Sequence, residues 1–599
     1  MGPSAHVSTR RHVSPIGRPD LLSDEARDPL CLTLPGAAPS QRITPVTLVV
    51  SIMTCRSGAT RAQDGDTVDP LPITGLHLIG DVEQGAIDPT FQGVDPRTGA
   101  PLPGAFAEAT ARDVEEATLI ASQASHLLRG WSTARIAALL EAMALELEAN
   151  RAQIVALADS ETGLGTVRLE GELGRTVGQF RLFADIVASG EHLGIIIDHA
   201  DASSVPPRPD LRRMLIPLGP VAVFGASNFP LAFSVPGGDT ASALAAGCAV
   251  VIKAHPSHPA TSEASARCLI RAAEAQGAPL GTVNLLQGRT HEVGRRLVLD
   301  PRITAVAFTG SRTGGRAIMD LAATRETPIP VHAEMSSLNP VIVTAGALTA
   351  RPEAIASGFV ASLTLGAGQF CTKPGLLLLP HGEAGDDLLG DIATQLGAVA
   401  PAVLLNRGIN DLLIDRLKAS TSVGGAQVLL DGRDGDTDGG FTCRPSLITV
   451  DAQTYLASPE LREEHFGPVS VVVRHSPGEL LHLIAALEGQ LTATLHAEVE
   501  ELDELEPLRD MLSAKVGRVL WNGFPTGVSV TRSQHHGGPY PATSDSRTTS
   551  VGGTALERFL RPVVYQDLPD ALLPPALREH DPLGLPRIVD GARQLGRPA

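Results

Sequence analysis

One cysteine in this chain is placed as a nucleophile would be. Cys371 lies in Gly366-Ala367-Gly368-Gln369-Phe370-Cys371-Thr372-Lys373-Pro374, with a helix-like run before it and the apolar, strand-like run Gly375–Pro380 after it. Glycines and a proline around a sulfur leave room for a substrate carbon to approach and keep the adjacent N–H free. On this stretch alone, the competing reading is an inert, buried small hydrophobe. Glu334, in the run Pro330–Pro340 with no other carboxylate or cationic side chain, suits a general base whose pKa is raised by desolvation, or else a structural ion pair. Asn228, in Gly225-Ala226-Ser227-Asn228-Phe229-Pro230, follows the strand-like Val221–Phe224; its side-chain amide could donate to an oxyanion or simply cap a turn.

A second set of residues suits an extended phosphate-bearing ligand. After Ile303–Phe308 comes Thr309-Gly310-Ser311-Arg312-Thr313-Gly314-Gly315, then a helix expected over Arg316–Ala323. Strand, glycine turn and helix N-terminus together favour a pyrophosphate, because free N–H groups and the helix dipole attract anions. The spacing is not G-x-G-x-x-G, and a ligand-free βα turn is the alternative. Lys253 ends the strand-like Ala249–Ile252, where a phosphate or a ribose hydroxyl would suit it, or its amine could simply snorkel to water. Glu464 precedes His465-Phe466-Gly467-Pro468 at the entrance to another strand.

The elements that must position these residues read as alternating α and β. Helices are expected from Thr110 to about 129, from Ser132, and over about 168–188 with Arg175, Gln179 and Arg181; the caps Thr110/Asp113 and Ser132 open the first two. Val221–Phe224, Ala249–Ile252, Val283–Leu286 and Ile303–Phe308 form one strand series. Val341–Thr344, Leu376–Leu379, Val469–Arg474, Leu491–His496 and Val516–Trp521 form a second, with helices at about 351–365, 478–488 and 500–513. Short apolar strands between helices indicate parallel sheets covered on both faces, hence two consecutive α/β units meeting near 330–335. Ligands of such sheets sit at the carboxyl ends of strands, so the loops after these strands, where Asn228, Lys253 and the turn 310–315 fall, are where chemistry is expected. The span 196–216 reads as an excursion from the globule, and residues 1–72, without sustained period, as a disordered leader, with Met53 an alternative start.

Composition removes several function classes. The chain has 599 residues, 43% apolar, 19% charged and 3% aromatic, with a formal charge of −18. That net charge, without a basic cluster, opposes a nucleic-acid partner. No run approaches a membrane span. The six cysteines are scattered, with neither CxxC nor His/Cys ligand spacing, so no disulfide framework and no metal site is indicated, and a cytoplasmic location is expected.

Taken in order, Asn228-Phe229-Pro230, Lys253, the turn 310–315, Glu334 with Asn339-Pro340, Gly368-Gln369-x-Cys371 and Glu464-x-Phe466-Gly467-Pro468 resemble the aldehyde dehydrogenase superfamily over roughly 76–580. The resemblance implies an α/β fold with a Rossmann-like cofactor domain (76–195 and 217–333), a catalytic α/β domain (334–530), oligomerisation elements (196–216 and 540–565) and a C-terminal tail (566–599). It implies Cys371 as nucleophile, Glu334 as base and Asn228 with the Cys371 amide as oxyanion hole. Cofactor contacts would come from Lys253, His255, Gly310, Ser311, Gly315, Glu464 and Phe466. Substrate contacts would come from Phe229, Arg175 and Phe370, and a homodimer or homotetramer is implied.

A narrower resemblance, carried by Leu169–Val177, Phe224–Phe233, Pro328–Pro340, Asn522–Val528, Gly537–Thr543, Asp545-Ser546-Arg547 and Arg561-Pro562, is to 2-oxoglutarate semialdehyde (2,5-dioxovalerate) dehydrogenases, with a fatty-aldehyde branch related. The implied substrate is a short aldehyde bearing carboxylate and keto groups, which Arg175 would suit; Arg181 suits a surface ion pair at least as well. The alternatives are a broad or long-chain aldehyde dehydrogenase, a CoA-acylating relative (disfavoured by Glu334) and a cofactor-binding scaffold without catalysis. Where NAD-preferring relatives hold the adenosine ribose with a carboxylate, three residues past the lysine, this chain has Pro256. NADP is therefore expected, with NAD possible, and His255 or Arg289 near the extra phosphate. Two departures from the pattern are Ser336, where the family usually has glycine, and Lys373, which would acidify the thiol if it faced the sulfur.

Overall fold

The computed structural model describes residues 70–86, 88–432 and 439–596; the expected leader therefore lies almost wholly outside the described residues, as does Met53. Two seven-stranded sheets and one five-stranded sheet organise the chain.

The first sheet runs Val331–Glu334, Ala305–Thr309, Val221–Phe224, Val250–Lys253 and Val283–Leu286, all parallel, and is completed by His77–Ile79 and Val82–Gln84, antiparallel. Its inner strands are almost purely Val, Ile, Leu and Ala and are buried on both faces, as a helix-covered parallel sheet requires. Register then does the positioning: Phe224 pairs with Lys253, and Thr309 with Glu334, so these carboxyl ends form one row. Val331–Glu334, anticipated only as a boundary, is itself the fifth parallel strand. Its four residues are too few and too mixed for a period-2 signal, and pairing with Ala305–Thr309 makes them a strand.

The helix expected from Arg316 begins at Arg312. The Ser311 hydroxyl caps it, accepting the Gly314 N–H at 3.1 Å, so the helix starts inside the glycine turn. The long helix Thr166–Ser189 buries Leu169, Leu173, Val177, Phe180 and Phe183 against Thr133–Ala149. Arg168 and Arg175, two turns apart, emerge on the same side of it.

The second sheet is ordered Gln427–Leu430, Ser446–Asp451, Val469–His475, Leu376–Pro380, Val341–Val343, Gln490–His496 and Val516–Trp521, parallel except for its first strand. Gln427–Leu430 and Ser446–Asp451 were not anticipated. The third sheet contains the 196–216 excursion, as Ile195–Asp198 and Leu211–Pro217, flanked by Leu560–Gln566 on one side and Arg587–Val589 with Ala592–Gln594 on the other. The segment 566–599, expected as a tail, thus adds two strands to a sheet; its Leu573, Leu577 and Leu585, buried with Ile195 and Ile197, and Val589 packed against them supply the apolar contact that a tail would lack.

A buried ion pair anchors the chain where it leaves the second sheet for the third. Arg558 donates to Asp239 Oδ1 at 2.8 Å and to Ser242 Oγ at 3.1 Å, both on the buried helix Gly238–Ala245. Burial raises the Asp239 pKa, and the guanidinium opposes that rise. Removing one member of such a pair strands the other without solvent. Arg558→Met should therefore destabilise the fold by about 3–5 kcal/mol in urea unfolding, and Arg558→Met with Asp239→Asn should recover part of that loss.

Candidate active site

The cysteine sits in a loop with little freedom. After helix Pro352–Thr364, Gly366, Ala367 and Gly368 take left-handed φ values of 58°, 58° and 67°. A Cβ on Gly368 would overlap the Gly467 carbonyl and the Pro468 nitrogen, so Gly368 and Gly467-Pro468 occur together because their backbones touch. Gln369 ties the loop outward, donating to Val403 O at 3.2 Å and accepting from Leu405 N at 3.0 Å. Asn339, with φ 49°, holds it from inside through Nδ2 to Cys371 O at 2.8 Å and Lys373 O at 2.9 Å. Lys373 faces neither the sulfur nor solvent. It is 1% exposed and its amine donates to His465 O at 2.7 Å and Val469 O at 2.9 Å, a strut between the cysteine loop and the Glu464 loop. Burial pulls its pKa down to about 8 against the pull of Glu464.

Around the sulfur, the structure brings together Cys371 and Glu334 and adds His536. Cys371 Sγ is 3.3 Å from His536 Nε2, and Glu334 Oε1 is 2.8 Å from the same nitrogen but out of hydrogen-bond alignment with it. Ser550 donates to Glu334 Oε2 in a short hydrogen bond. Burial drives the Glu334 carboxyl upward, but His536, Ser550 and the Cys371 thiol outweigh it. The net pKa lies below the ordinary carboxylate value, contrary to the desolvation-raised base expected from sequence. Burial and the Glu334 charge push the Cys371 thiol well up. In the free enzyme the pair is thus a carboxylate beside a neutral thiol.

Next to the thiol lies an aromatic wall with arginines behind it. Phe229 and Phe370 meet edge to face at 4.9 Å, and Phe229 meets Phe233 at 5.3 Å. Arg168 lies over both Phe229 and Phe370 and donates to Asn228 O at 2.6 Å. Asn228 Nδ2 in turn donates to Gln369 O at 3.0 Å, so its amide is held at the cysteine loop. Arg175 lies over Phe233, 5.0 Å from the ring, with Nε toward Val528 O at 3.3 Å; both terminal nitrogens are buried and, among the described residues, without a hydrogen-bond partner. Burial lowers its pKa, while Glu172, Cys371 and Glu334 act the other way. Arg181 instead pairs with Glu141 at the surface.

The expected cofactor residues fall in two groups. Lys253, with His255 and the half-buried Pro256, lies near Glu108, whose carboxylate accepts from Arg289 N at 2.7 Å and Thr290 N at 2.9 Å. The Lys253 amine makes no hydrogen bond among the described residues, and burial pulls its pKa down to about 8. His255, whose ring stacks on His258, is driven well below the ordinary histidine value by burial and by neighbouring cations, so it is a neutral partner. Glu464, with half-buried Phe466, lies at the other group. Burial raises its pKa, and Lys373 and hydrogen bonds from Ser336 and the Ser337 N–H oppose that. Ser336 also accepts from Arg312 N at 3.2 Å, so it ties Glu464 to the helix start and does not merely crowd the turn. Between the groups run Gly310 and Gly315, where a Cβ would strike Phe308 and Met335. A partnerless lysine, a capped helix N-terminus and side-chain-free turns suit a dinucleotide's phosphates and riboses.

Sequence reading missed His536, Ser550, Arg168, Glu172 and Glu108. Only His536 had a local signal, a His-His pair directly before Gly537-Gly538 in the last loop.

The aldehyde dehydrogenase family model matches residues 83–540, and the chain belongs to that family. It is 47% identical over 527 residues to alpha-ketoglutaric semialdehyde dehydrogenase 2 of Azospirillum brasilense, covering 87% of this chain and 99% of the relative. It is 42% identical over 520 residues to the alpha-ketoglutaric semialdehyde dehydrogenase of Acinetobacter baylyi, covering 86% and 98%. Among solved structures, a Thermus thermophilus 1-pyrroline-5-carboxylate dehydrogenase mutant superposes with a TM-score of 0.71 at 22% identity, covering 82% of this chain and 92% of that one. A Staphylococcus aureus betaine aldehyde dehydrogenase mutant in complex with NAD+ gives 0.72 at 20% identity, covering 82% and 96%; both show the shared aldehyde dehydrogenase fold. The family works with NAD or NADP.

A thiol with a raised pKa carries more thiolate at each step of alkalinity until that pKa is passed. The rate of Cys371 alkylation by iodoacetamide in the cofactor-free enzyme should therefore rise about tenfold per pH unit from pH about 7 to 9. A plateau below pH about 8 would show instead a preformed thiolate–imidazolium pair.

Proposed function

We propose that this protein oxidises 2-oxoglutarate semialdehyde to 2-oxoglutarate with NADP as preferred acceptor, Cys371 forming the thioester and Glu334 releasing it. The observation that carries the substrate class is Arg175: two terminal nitrogens, buried and unpaired among the described residues, over Phe233 in the aromatic wall beside the thiol. Leaving such donors without a partner is costly, and a substrate carboxylate would satisfy both in one fork. The names carried by the two bacterial relatives point to the same substrate. A long aliphatic aldehyde would leave Arg175 unsatisfied, which disfavours the broad or fatty-aldehyde reading.

The residues divide the chemistry. Cys371 passes its proton to His536 as sulfur attacks the aldehyde carbon, and Glu334 beside Nε2 stabilises the imidazolium. Asn228, its amide held at Gln369 O, offers its second N–H, with the Cys371 N–H, to the developing oxyanion. A bound dinucleotide would supply the hydride acceptor for this oxidation, leaving the acyl group on Cys371 as a thioester. Glu334, anchored by Ser550, then takes the proton of the water that attacks the thioester carbon; the C–S bond breaks, the acid leaves, and the Cys371 sulfur takes back the proton held on His536. Lys253, His255, Gly310, Ser311 and Gly315 would hold the adenosine and phosphate part, and Glu464 and Phe466 the nicotinamide riboside part. Pro256, in place of a ribose-binding carboxylate, leaves room for the 2′-phosphate, with neutral His255 and Arg289 as partners; Glu108 has its acceptors occupied by Arg289 N and Thr290.

The open edge strands Val516–Trp521 and Leu560–Gln566, with Trp521 45% and Val564 52% exposed, support assembly into a homo-oligomer. Among the described residues no helix is long and apolar enough to cross a membrane. The free cysteines Cys248, Cys268, Cys371 and Cys443 support a cytoplasmic location.

The decisive measurement is kcat/KM for 2-oxoglutarate semialdehyde and for an unbranched aliphatic aldehyde, each with NAD and NADP, in wild type and Arg175→Met. The oxo-acid aldehyde with NADP should be best in wild type. Arg175→Met should lower its kcat/KM by about 10- to 150-fold, the loss of a hydrogen bond to a charged group, and leave the aliphatic aldehyde little changed. Equal losses on both aldehydes would remove Arg175 from substrate recognition. For the release step, Glu334→Gln should give one rapid turnover of reduced cofactor followed by a steady state about 10²- to 10⁴-fold slower, read by stopped-flow absorbance.

A further inference from the structure

Cys371, His536 and Glu334 also bring three kinds of metal-ligand atom together. Sγ, Nε2 and a Glu334 carboxylate oxygen all lie within 4.8 Å of one another, with the histidine and the glutamate buried and the cysteine half-buried. Thiolate, imidazole and carboxylate are the three donor types that Zn²⁺ takes, and three protein ligands with one open position is a tetrahedral zinc geometry. At zinc bond lengths of about 2.0–2.3 Å, tetrahedral ligand atoms lie about 3.4–3.6 Å apart. Sγ and Nε2, at 3.3 Å, are already near that separation. Nε2 and Oε1, at 2.8 Å, need only part by roughly half an ångström, a distance judged against the same bond lengths.

The surroundings also fit. Ser550 fixes Oε2, which aims Oε1 at the centre and serves as the outer-shell partner such ligands have. The His536 backbone is held by Thr549 Oγ1 at 2.8 Å and by Ser550 N at 3.0 Å, so the imidazole is carried on a fixed frame. Sequence spacing gave no hint of this, since cysteine and histidine are 165 residues apart.

We propose that Cys371, His536 and Glu334 form a reversible inhibitory site for zinc, reached by the path the aldehyde takes. Binding replaces the thiol proton: Sγ loses H⁺ to solvent and gives its electron pair to the metal, Nε2 gives its lone pair with the ring proton kept on Nδ1, and Oε1 gives a third pair. Nothing is oxidised. The ion occupies nucleophile, proton carrier and base together, so activity stops and returns on chelation. That the ion inhibits rests on the proposed roles of these residues; that it binds does not. Hard cations such as Mg²⁺, which prefer oxygen ligands, should not compete.

The test uses the full chain carrying Cys31→Ser and Cys55→Ser, which removes the two cysteines outside the described residues. Equilibrium dialysis against zinc sulfate alone should give one tight zinc per chain, and Co²⁺ in its place should show a thiolate-to-cobalt charge-transfer band. Aldehyde oxidation should fall with zinc occupancy and recover with EDTA. Cys371→Ser should lose the band, and His536→Phe should weaken zinc binding about 100-fold or more, beyond what losing an outer-shell partner does. Glu334→Gln, read by the same dialysis, should also weaken binding and serves if His536→Phe does not fold. Undiminished zinc affinity in these variants, or a cobalt spectrum without the thiolate band, overturns the site. Because binding is read without turnover, an enzyme that binds zinc here but ignores 2-oxoglutarate semialdehyde would refute the substrate assignment and leave the zinc site standing.

Discussion

The catalytic centre depends on one backbone contact between segments far apart in sequence. Val331–Glu334 is the edge strand of the first sheet, and its outer side is covered by residues 542–544. Met335 N donates to Ala542 O at 2.8 Å, Ser544 N to Ala333 O at 2.9 Å, and Glu334 bridges to Thr543. The same segment is pressed against the second sheet, where a Cβ on Gly489 or Gly517 would overlap the carbonyls of Pro539 or Gly537, and one on Gly538 that of Gln490. Residues 536–550 therefore fasten the base-bearing strand to the sheet that supports the cysteine. The glycines are there because the backbones touch. His536 and Ser550, at either end of this clasp, reach the cysteine and the glutamate for the same reason.

That clasp sets the charge balance of the site. A buried carboxylate without donors would hold its proton near neutrality. Here Ser550 and His536 keep Glu334 ionised, and Glu334 in turn keeps the thiol protonated. The carboxylate and the thiol are thus held in opposite protonation states. The imidazole of His536 lies within reach of both the sulfur and the carboxylate. A resting thiol also resists oxidation better than a thiolate would.

Much of this was legible in the sequence, and what was not has a common cause. Local pattern found the inner strands because burial on both faces writes an unbroken apolar run, as in Val221–Phe224 and Leu376–Pro380. Cys371, Glu334 and Asn228 stood out because each ends or interrupts such a run. Val331–Glu334 did not read as a strand, because neighbouring strands and not its own composition make it one. His536 and Ser550 lie 165 and 216 residues from the groups they serve, in a loop with no period to expose them. Lys373 was misread for a related reason: next to the nucleophile in sequence, it points away and spans two loops. The pKa of Glu334 went the wrong way because burial is foreseeable from sequence, whereas the donors that reverse its effect come from elsewhere.

The arginines behind the aromatic wall extend the same logic to the substrate. Arg168 and Arg175 sit two turns apart on a helix whose other buried positions are mostly apolar, with Glu172 between them. Among the described residues Glu172 does not neutralise either by a direct hydrogen bond: its Oε1 is taken by the N–H groups of Leu231 and Ala232 at 2.8 and 2.9 Å, and its Oε2 has no partner. It serves as a nearby counter-charge that makes two buried guanidiniums tolerable while leaving the Arg175 fork open. A fork fixed beforehand between Phe233 and Val528 O loses little side-chain freedom when a carboxylate arrives. The cost of desolvating it is borne by the folded protein, supported by the packing of Leu169, Leu173, Val177 and Phe180 on the same helix. On the proposed reading, binding would then spend no energy on organising the site, and a carboxylate held at Arg175 would convert affinity at one end of a short substrate into rate at the other.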